Sequence, residues 1–470
     1  MKELILILVL SSLSIAYPNY IRNEEKYAII FDAGSKGTRM YVYQYELFPV
    51  KDSSKMRMQL EDSIEQKLYC ELEDGGLGSY VDASQIIGFF SDCMHQADQI
   101  IPADKRPQTK ISVLATAGMR LLEAKNKTHA ENLFHGLRAY FSQSEYYFND
   151  PSQVKTISGY EEGVLSFISA NYFKSLSSFN QNTKGILDMG GASVQLAFVP
   201  SSVDFNLNID LSRYLFDVKM ANYNYKVYSY SFLCFGTNQI LSMYNAKTIR
   251  DDDYGKSSSA SCYPEDYDFE ITGEEILDNP CTNGLLFDSS HDFTVDKKKI
   301  DHDVIYTLKG DSKKNKCREE VNLLIPQQPC PYGDNKCSFN GVYLPPVSKS
   351  EFFALGNFYE AIDLTSKLLD VDLNNHMKAF DEATYEICSM SYSKLKDLNK
   401  ANDAEIGKKR LAKLCIENVY IIRLWELYGF DSLKDVDAVE YVNGKKVGWI
   451  LGYLINDIEN DNSNVESQSH

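Results

Sequence analysis

Two segments far apart in the chain repeat one pattern, and that repeat limits the possible folds more than any other feature. Ile30-Phe31-Asp32-Ala33-Gly34-Ser35 and Ile186-Leu187-Asp188-Met189-Gly190-Gly191 are each an apolar run ending in Asp-x-Gly and a small residue. Each then passes through a short polar turn into a second run, Met40 to Tyr45 and Leu196 to Val199. A buried strand, a tight turn and a returning strand are the physical reading of that order. Two copies predict two similar half-structures facing each other. At 470 residues the chain is also too long for one compact core.

The rest of the first third supports an α/β class. Tyr27 to Phe31 and Ile111 to Ala115 read as strands, and Val81 to Ile101 has helical periodicity. Asp251 to Lys316 differs: Asp251-Asp252-Asp253, Ser257-Ser258-Ser259 and Lys297-Lys298-Lys299 lie among cysteines, which predicts a loop-rich insertion stapled by disulfides. Helical patterns dominate from Ser350 to Trp425. A strand-turn-helix reading covers Val439 to Ile455, with Asn443-Gly444 as the turn. From Ile455 the chain becomes acidic and Asn/Ser-rich and is expected to fray.

The N-terminus reads as a secretory signal: Lys2, the apolar run Leu4 to Leu10, and Ser14-Ile15-Ala16 before a cleavage point. The run is short for a membrane span of about 20 residues, so an uncleaved anchor is the weaker alternative. No later segment is apolar enough to cross a membrane, and no stable span is expected after cleavage. Secretion gives the ten cysteines a meaning, since an even number in an oxidising compartment suggests five disulfides. Buried free thiols are the other option. No pair has CxxC spacing and the seven histidines form no HExxH, which argues against zinc. Asn126-Lys127-Thr128 is the one glycosylation sequon.

A formal net charge of −18 excludes nucleic acid as a natural partner. It also repels nucleotides, so an anionic substrate needs a local cation or clustered backbone N–H groups. The two Asp-x-Gly turns supply such groups, because glycines let successive N–H bonds converge on an anion. An acid at the end of each preceding strand could hold a hard divalent cation through water. Either turn alone is more often only a tight turn; the matched pair favours a site. A Walker A loop is absent.

These residues carry a resemblance to the apyrase (ectonucleoside triphosphate diphosphohydrolase) family, which has five motifs in fixed order. Ile30 to Arg39 resembles the first, and Ala115-Thr116-Ala117-Gly118-Met119-Arg120-Leu121-Leu122 is similar to the second almost letter for letter. Ile157-Ser158-Gly159-Tyr160-Glu161-Glu162-Gly163 with Asn171-Tyr172 resembles the third, and Leu187 to Gln195 the fourth. Phe352 to Tyr359 is a looser match to the fifth. Gly76 to Tyr80, Ser231 to Gly236 and Val447 to Gly452 resemble stretches between the motifs.

The resemblance implies two ribonuclease-H-like lobes of actin and sugar-kinase type around a nucleotide cleft. The first lobe would cover 23–157 and regain 436–456; the second would fill 158–435, with the disulfide-rich insertion at about 251–340 and a polar tail at 457–470. It implies stepwise hydrolysis of nucleoside tri- and diphosphates such as ATP and ADP, with Ca2+ or Mg2+. Glu162 would activate water, Glu161 being the neighbouring alternative, and Ser193 and Gln195 would orient that water. Thr116 would lie near the terminal phosphate. Gly34, Ser35, Lys36, Gly37, Thr38 and Arg39 would bind phosphate with Gly190, Gly191 and Ala192, while Asp32 and Asp188 hold the metal through water. A base would stack between Tyr359 and Arg410. By order, the disulfides would be Cys70–Cys93, Cys234–Cys281, Cys262–Cys317, Cys330–Cys337 and Cys388–Cys415.

Three departures stand out. Phe167 replaces a usual tryptophan, Lys36 a small polar residue inside the first turn, and Glu360 a common aromatic beside Tyr359. Three other functions stay open from sequence: a diphosphatase of the secretory lumen preferring GDP or UDP, a nucleotide-binding protein without turnover, and, least favoured, a sugar kinase.

Overall fold

The computed structural model describes residues 24–467, apart from 53–54, 61–62, 73–74, 178–182, 204–209, 221–222, 334–335, 348–349, 375–376 and 431–435. The expected signal at residues 1–16, the lobe start at Asn23 and the last three residues lie outside the described residues.

The first sheet contains β1 (Glu24–Ala33), β2 (Thr38–Asp52), β3 (Lys55–Leu60), β4 (Glu65–Leu72), β5 (Lys110–Ala115) and β6 (Val154–Thr156). β1 runs antiparallel to β2 and parallel to β5, and β5 runs parallel to β6. The second sheet contains β7 (Gly185–Met189), β8 (Ser193–Phe198), β9 (Leu215–Met220) and β10 (Tyr223–Leu233). An insertion then adds a small sheet of β11 (Ser257–Ala260), β12 (Asp268–Thr272) and β13 (Ile305–Gly310), before β14 (Phe352–Gly356) and β15 (Val436–Ala438) complete the second sheet. There β7 runs antiparallel to β8 and parallel to β14, and β14 runs parallel to β15. The two sheets therefore repeat one topology, with Asp32 and Asp188 near the ends of equivalent strands.

Eleven helices surround these sheets among the described residues: α1 (Ser84–Asp98), α2 (Ala117–Phe141), α3 (Gly159–Ser177), α4 (Thr237–Asp251), α5 (Gly273–Asp278), α6 (Lys314–Leu324), α7 (Asn357–Leu369), α8 (Met377–Ile387), α9 (Tyr392–Ala401), α10 (Lys408–Tyr428) and α11 (Trp449–Ser467). β1 shows why its sequence is a continuous apolar run. Alternate side chains leave opposite faces of a strand; Tyr27, Ile29 and Phe31 enter the core beneath α1 and α2, while Ala28 and Ile30 meet α11. α2 is broken at Asn126 (φ −155°, ψ 86°), whose Oδ1 accepts from His129 N at 3.0 Å and so starts a second helical segment.

Two helices are exchanged between the halves. α3 follows β6 of the first sheet yet packs on β7, β8 and β10 of the second; α11 follows β15 of the second and packs on β1 and β3 of the first. They cross where a Cβ on Gly452 would lie 1.8 Å from the Leu165 carbonyl oxygen. Gly452→Ala must push the helices apart, and overpacking of this kind is expected to cost about 3 kcal/mol, read as a lower urea midpoint. An unchanged midpoint would show that the crossing tolerates displacement.

Two expectations are corrected. The segment 436–456 divides: β15 belongs to the second sheet because it pairs with β14, and only α11 returns to the first. The acidic tail stays helical through Ser467, continuing α11, whose Ile455 and Ile458 are buried. The insertion is loop-rich as expected, and a small sheet forms within it, where β11 and β12 both pair with β13. All five disulfides form as the resemblance implied. Among the described residues, no helix is long and apolar enough to cross a membrane.

Candidate active site

The two glycine turns meet across the space between the lobes. A Cβ on Gly191 would lie 2.7 Å from Ser35 Oγ and 3.1 Å from Lys36 Cγ. Behind the second turn, the carbonyls of Gly190 and Gly191 accept from Thr237 N at 3.1 Å and Asn238 N at 2.9 Å, at the start of α4. A trans peptide points its N–H opposite to its C=O. The N–H groups of Gly191 and Ala192 are thereby directed away from α4, where an anion would meet them. Beneath the first turn, α2 begins after Thr116, whose N–H donates to Ala33 O at 3.3 Å. A Cβ on Gly118 would lie 2.9 Å from Ser35 Cα, so only glycine lets this helix start so close.

Glu162 is buried on α3 and forms the centre of a polar cluster. Its Oε2 accepts from Arg120 Nη2 at 2.9 Å and Gln195 Nε2 at 3.1 Å. Arg120 also donates to Ser193 Oγ at 3.0 Å, and Gln195 to Ser193 Oγ at 2.7 Å and Ser231 Oγ at 2.9 Å. Burial raises the Glu162 pKa and the Arg120 charge opposes that rise. The helix can reach this position because Gly159 and Gly163 face β10: a Cβ on either would lie 2.3 Å from Ser231 Cβ or 2.5 Å from Ser229 Oγ. Glu161 faces elsewhere. It pairs with Lys155 at 3.2 Å and exchanges capping bonds with Ser158 at the start of α3.

Asp32 and Asp188 complete an acidic floor. Burial pushes Asp32 up to about 7; Arg39 opposes this, while Glu162 and Asp188 add to it. Burial likewise pushes Asp188 up to about 6, against the bond from Ser166 Oγ at 2.8 Å. Asp32 Oδ1 is buried with no hydrogen-bond partner, an acceptor awaiting a donor or a hydrated cation. Both Asp residues line a cavity of about 390 Å³ that Tyr359, Glu360 and Trp449 also border.

Arg39 pairs with Glu71 at 2.6 Å and approaches Asp32 at 3.8 Å, because cross-strand pairing sets it opposite Asp32. Tyr359 and Arg410 are not brought together. Tyr359 lies among Asp363, Glu440 and Lys367, whereas Arg410 is held by Glu417 at 2.6 Å and Glu360 at 3.5 Å. Adjacent positions on a helix point about 100° apart, so Glu360 draws Arg410 to the other side of α7.

Arg120 and Asn357 stand inside motifs that give neither a role, and Ser166 lies outside the motifs. Ser166 stands four residues after Glu162, the spacing that puts two side chains on one helix face. Arg120 could have been found by asking which cation neutralises a buried base. Asn357 opens α7 after β14, as Ala117 opens α2 after β5, so the repeated topology marks it.

Residues 19–469 match the model of the GDA1/CD39 (nucleoside phosphatase) family. The chain is similar to ectonucleoside triphosphate diphosphohydrolase 1 of Mus musculus, at 30% identity over 92% of this chain and 80% of that protein. It is also similar to ectonucleoside triphosphate diphosphohydrolase 3 of Homo sapiens, at 28% identity over 92% of this chain and 78% of the relative. In fold it resembles a crystal structure of nucleoside triphosphate hydrolases from Neospora caninum, with TM-score 0.63, 14% identity and 94% of each chain covered.

Proposed function

Because this chain belongs to the GDA1/CD39 nucleoside phosphatase family, we propose that it hydrolyses nucleoside tri- and diphosphates stepwise to the monophosphate and phosphate. Water activated by Glu162 attacks the terminal phosphorus directly. The observation that carries this reading is Glu162, fixed by Arg120 and Gln195 beside two facing glycine turns.

Phosphoryl transfer to water needs a base, a held nucleophile and neutralised phosphate charge. Glu162 receives Arg120 and Gln195 on Oε2, and Oε1 takes the proton of the attacking water. Ser193 Oγ and the Gln195 amide, 2.7 Å apart, orient that water. The N–H groups of Gly191 and Ala192 and the first turn, Gly34 to Thr38, receive phosphate oxygens, with Thr116 at the terminal phosphate. Asp32 and Asp188 fit a Ca2+ or Mg2+ ion, since both offer carboxylate oxygens and Asp32 Oδ1 lacks a protein donor. Two carboxylates are too few for a direct cage, so the ion would be held through its waters. It would neutralise charge on the phosphates and offset the acidic floor. Tyr359 borders the cavity where the base stacks; Arg410 joins it only after releasing Glu360. The two lobes divide as 24–157 with α11 and 158–438. Five disulfides suit secretion or the secretory-pathway lumen.

Phosphate release from ATP, ADP, GDP, UDP and AMP, each with calcium, magnesium or EDTA, tests this. Metal-dependent release from ATP and ADP with AMP spared is expected. Release confined to GDP and UDP would make the protein a nucleoside diphosphatase. No release by folded, metal-loaded protein would leave a nucleotide-binding protein.

A further inference from the structure

Lys36 stands where a small polar residue was expected, and its side chain crosses from one lobe to the other. Its ammonium donates to Asn357 Oδ1 at 2.8 Å, at the first residue of α7. Asn357 is itself held, its Nδ2 donating to Met189 O at 2.7 Å beside Asp188. The Lys36 stem passes over the second glycine turn, with Cγ 3.1 Å from where a Gly191 Cβ would be. One lysine thus lies over both phosphate turns and bonds to the opposite lobe.

Its partner is also unlike those of the neighbouring cations. Arg39, Arg120 and Arg410 are each within salt-bridge distance of a carboxylate. Lys36 instead gives its hydrogen bond to a neutral amide. Desolvation lowers its pKa, Glu360 and Glu417 oppose that, and Arg410 adds to it. A desolvated ammonium on a neutral acceptor gains more from an arriving anion than one already paired.

We propose that Lys36 is the interlobe tether of the nucleotide-free protein. It exchanges Asn357 for a phosphate oxygen of an incoming nucleoside polyphosphate, which gives this chain a component of nucleotide affinity that needs no metal. This rests on the nucleotide-hydrolase reading and adds to it a residue whose interlobe bond gives way to substrate.

Calorimetric titration with a non-hydrolysable nucleoside triphosphate analogue tests it, on wild type, Lys36→Ser and Lys36→Arg. In EDTA the wild type binds, Lys36→Ser binds about tenfold more weakly, and Lys36→Arg keeps most of the affinity. With magnesium the Lys36→Ser loss shrinks, because the ion offsets the same phosphate charge. Equal binding of wild type and Lys36→Ser in EDTA, or wild-type binding only with metal, would overturn the tether and spare the hydrolase. No binding by wild type in either condition would overturn both.

Discussion

Glu162→Gln is expected to lower kcat by about a thousandfold while the protein still binds nucleotide, because general-base catalysis contributes on that scale. Glutamine keeps the shape and an oxygen for Arg120 and Gln195, both of which donate to Glu162 Oε2. It cannot take a proton from water. Binding of a non-hydrolysable analogue separates lost chemistry from lost structure, since removing one buried charge leaves Arg120 without its counter-ion. Glu161→Gln is the companion variant. Glu161 is spent on Lys155 and the start of α3, so its loss should change kcat by no more than about threefold. A reversed pattern, with Glu161→Gln dead and Glu162→Gln active, would move the base by one residue.

The second large effect is a link between pH, metal and stability. Asp32 and Asp188 are raised from 3.8 to about 7 and about 6, mainly by burial. A carboxyl that holds its proton more tightly folded than unfolded stabilises the fold fully below its unfolded pKa. That contribution is lost as pH rises through the folded pKa. The metal-free protein should therefore lose stability between about pH 4 and pH 7, by on the order of several kcal/mol from this pair. Glu162 adds in the same direction. Thermal unfolding in EDTA is expected to show a steeper fall with pH for wild type than for Asp32→Asn/Asp188→Asn, whose amides do not titrate. Calcium or magnesium should stabilise the wild type more at pH 8, where both carboxylates are ionised, than at pH 5.5. Parallel pH slopes for wild type and variant would refute the assignment of the titration to this pair.

What the sequence revealed was local. The Asp-x-Gly repeat is written in consecutive residues, so both turns and the two strand pairs were legible, and Asn443-Gly444 does form the hairpin turn, with φ of 51° and 75°. The exchange of α3 and α11 depends on contacts nearly three hundred residues apart, and no local pattern announces it. β11 escaped because Ser257-Ser258-Ser259-Ala260 lacks the bulky residues of a typical strand; it is held by pairing with β13. Motifs likewise brought Glu162, Ser193 and Gln195 to one place. Arg410 lies outside every motif, and Glu417 and the substituted Glu360 hold it away from Tyr359.

The traded helices also bear on synthesis. A growing chain completes the strands of the first sheet by Thr156, yet the helix that packs against its inner face is made only after the whole second sheet. Until Trp449 and the residues after it leave the ribosome, Ala28 and Ile30 have no α11 to cover them. The first sheet is thus obliged to wait, with apolar surface open to chaperones, until α11 has been made. A nonsense codon near residue 447 would spare every strand of both sheets, but it would leave the first sheet permanently uncovered.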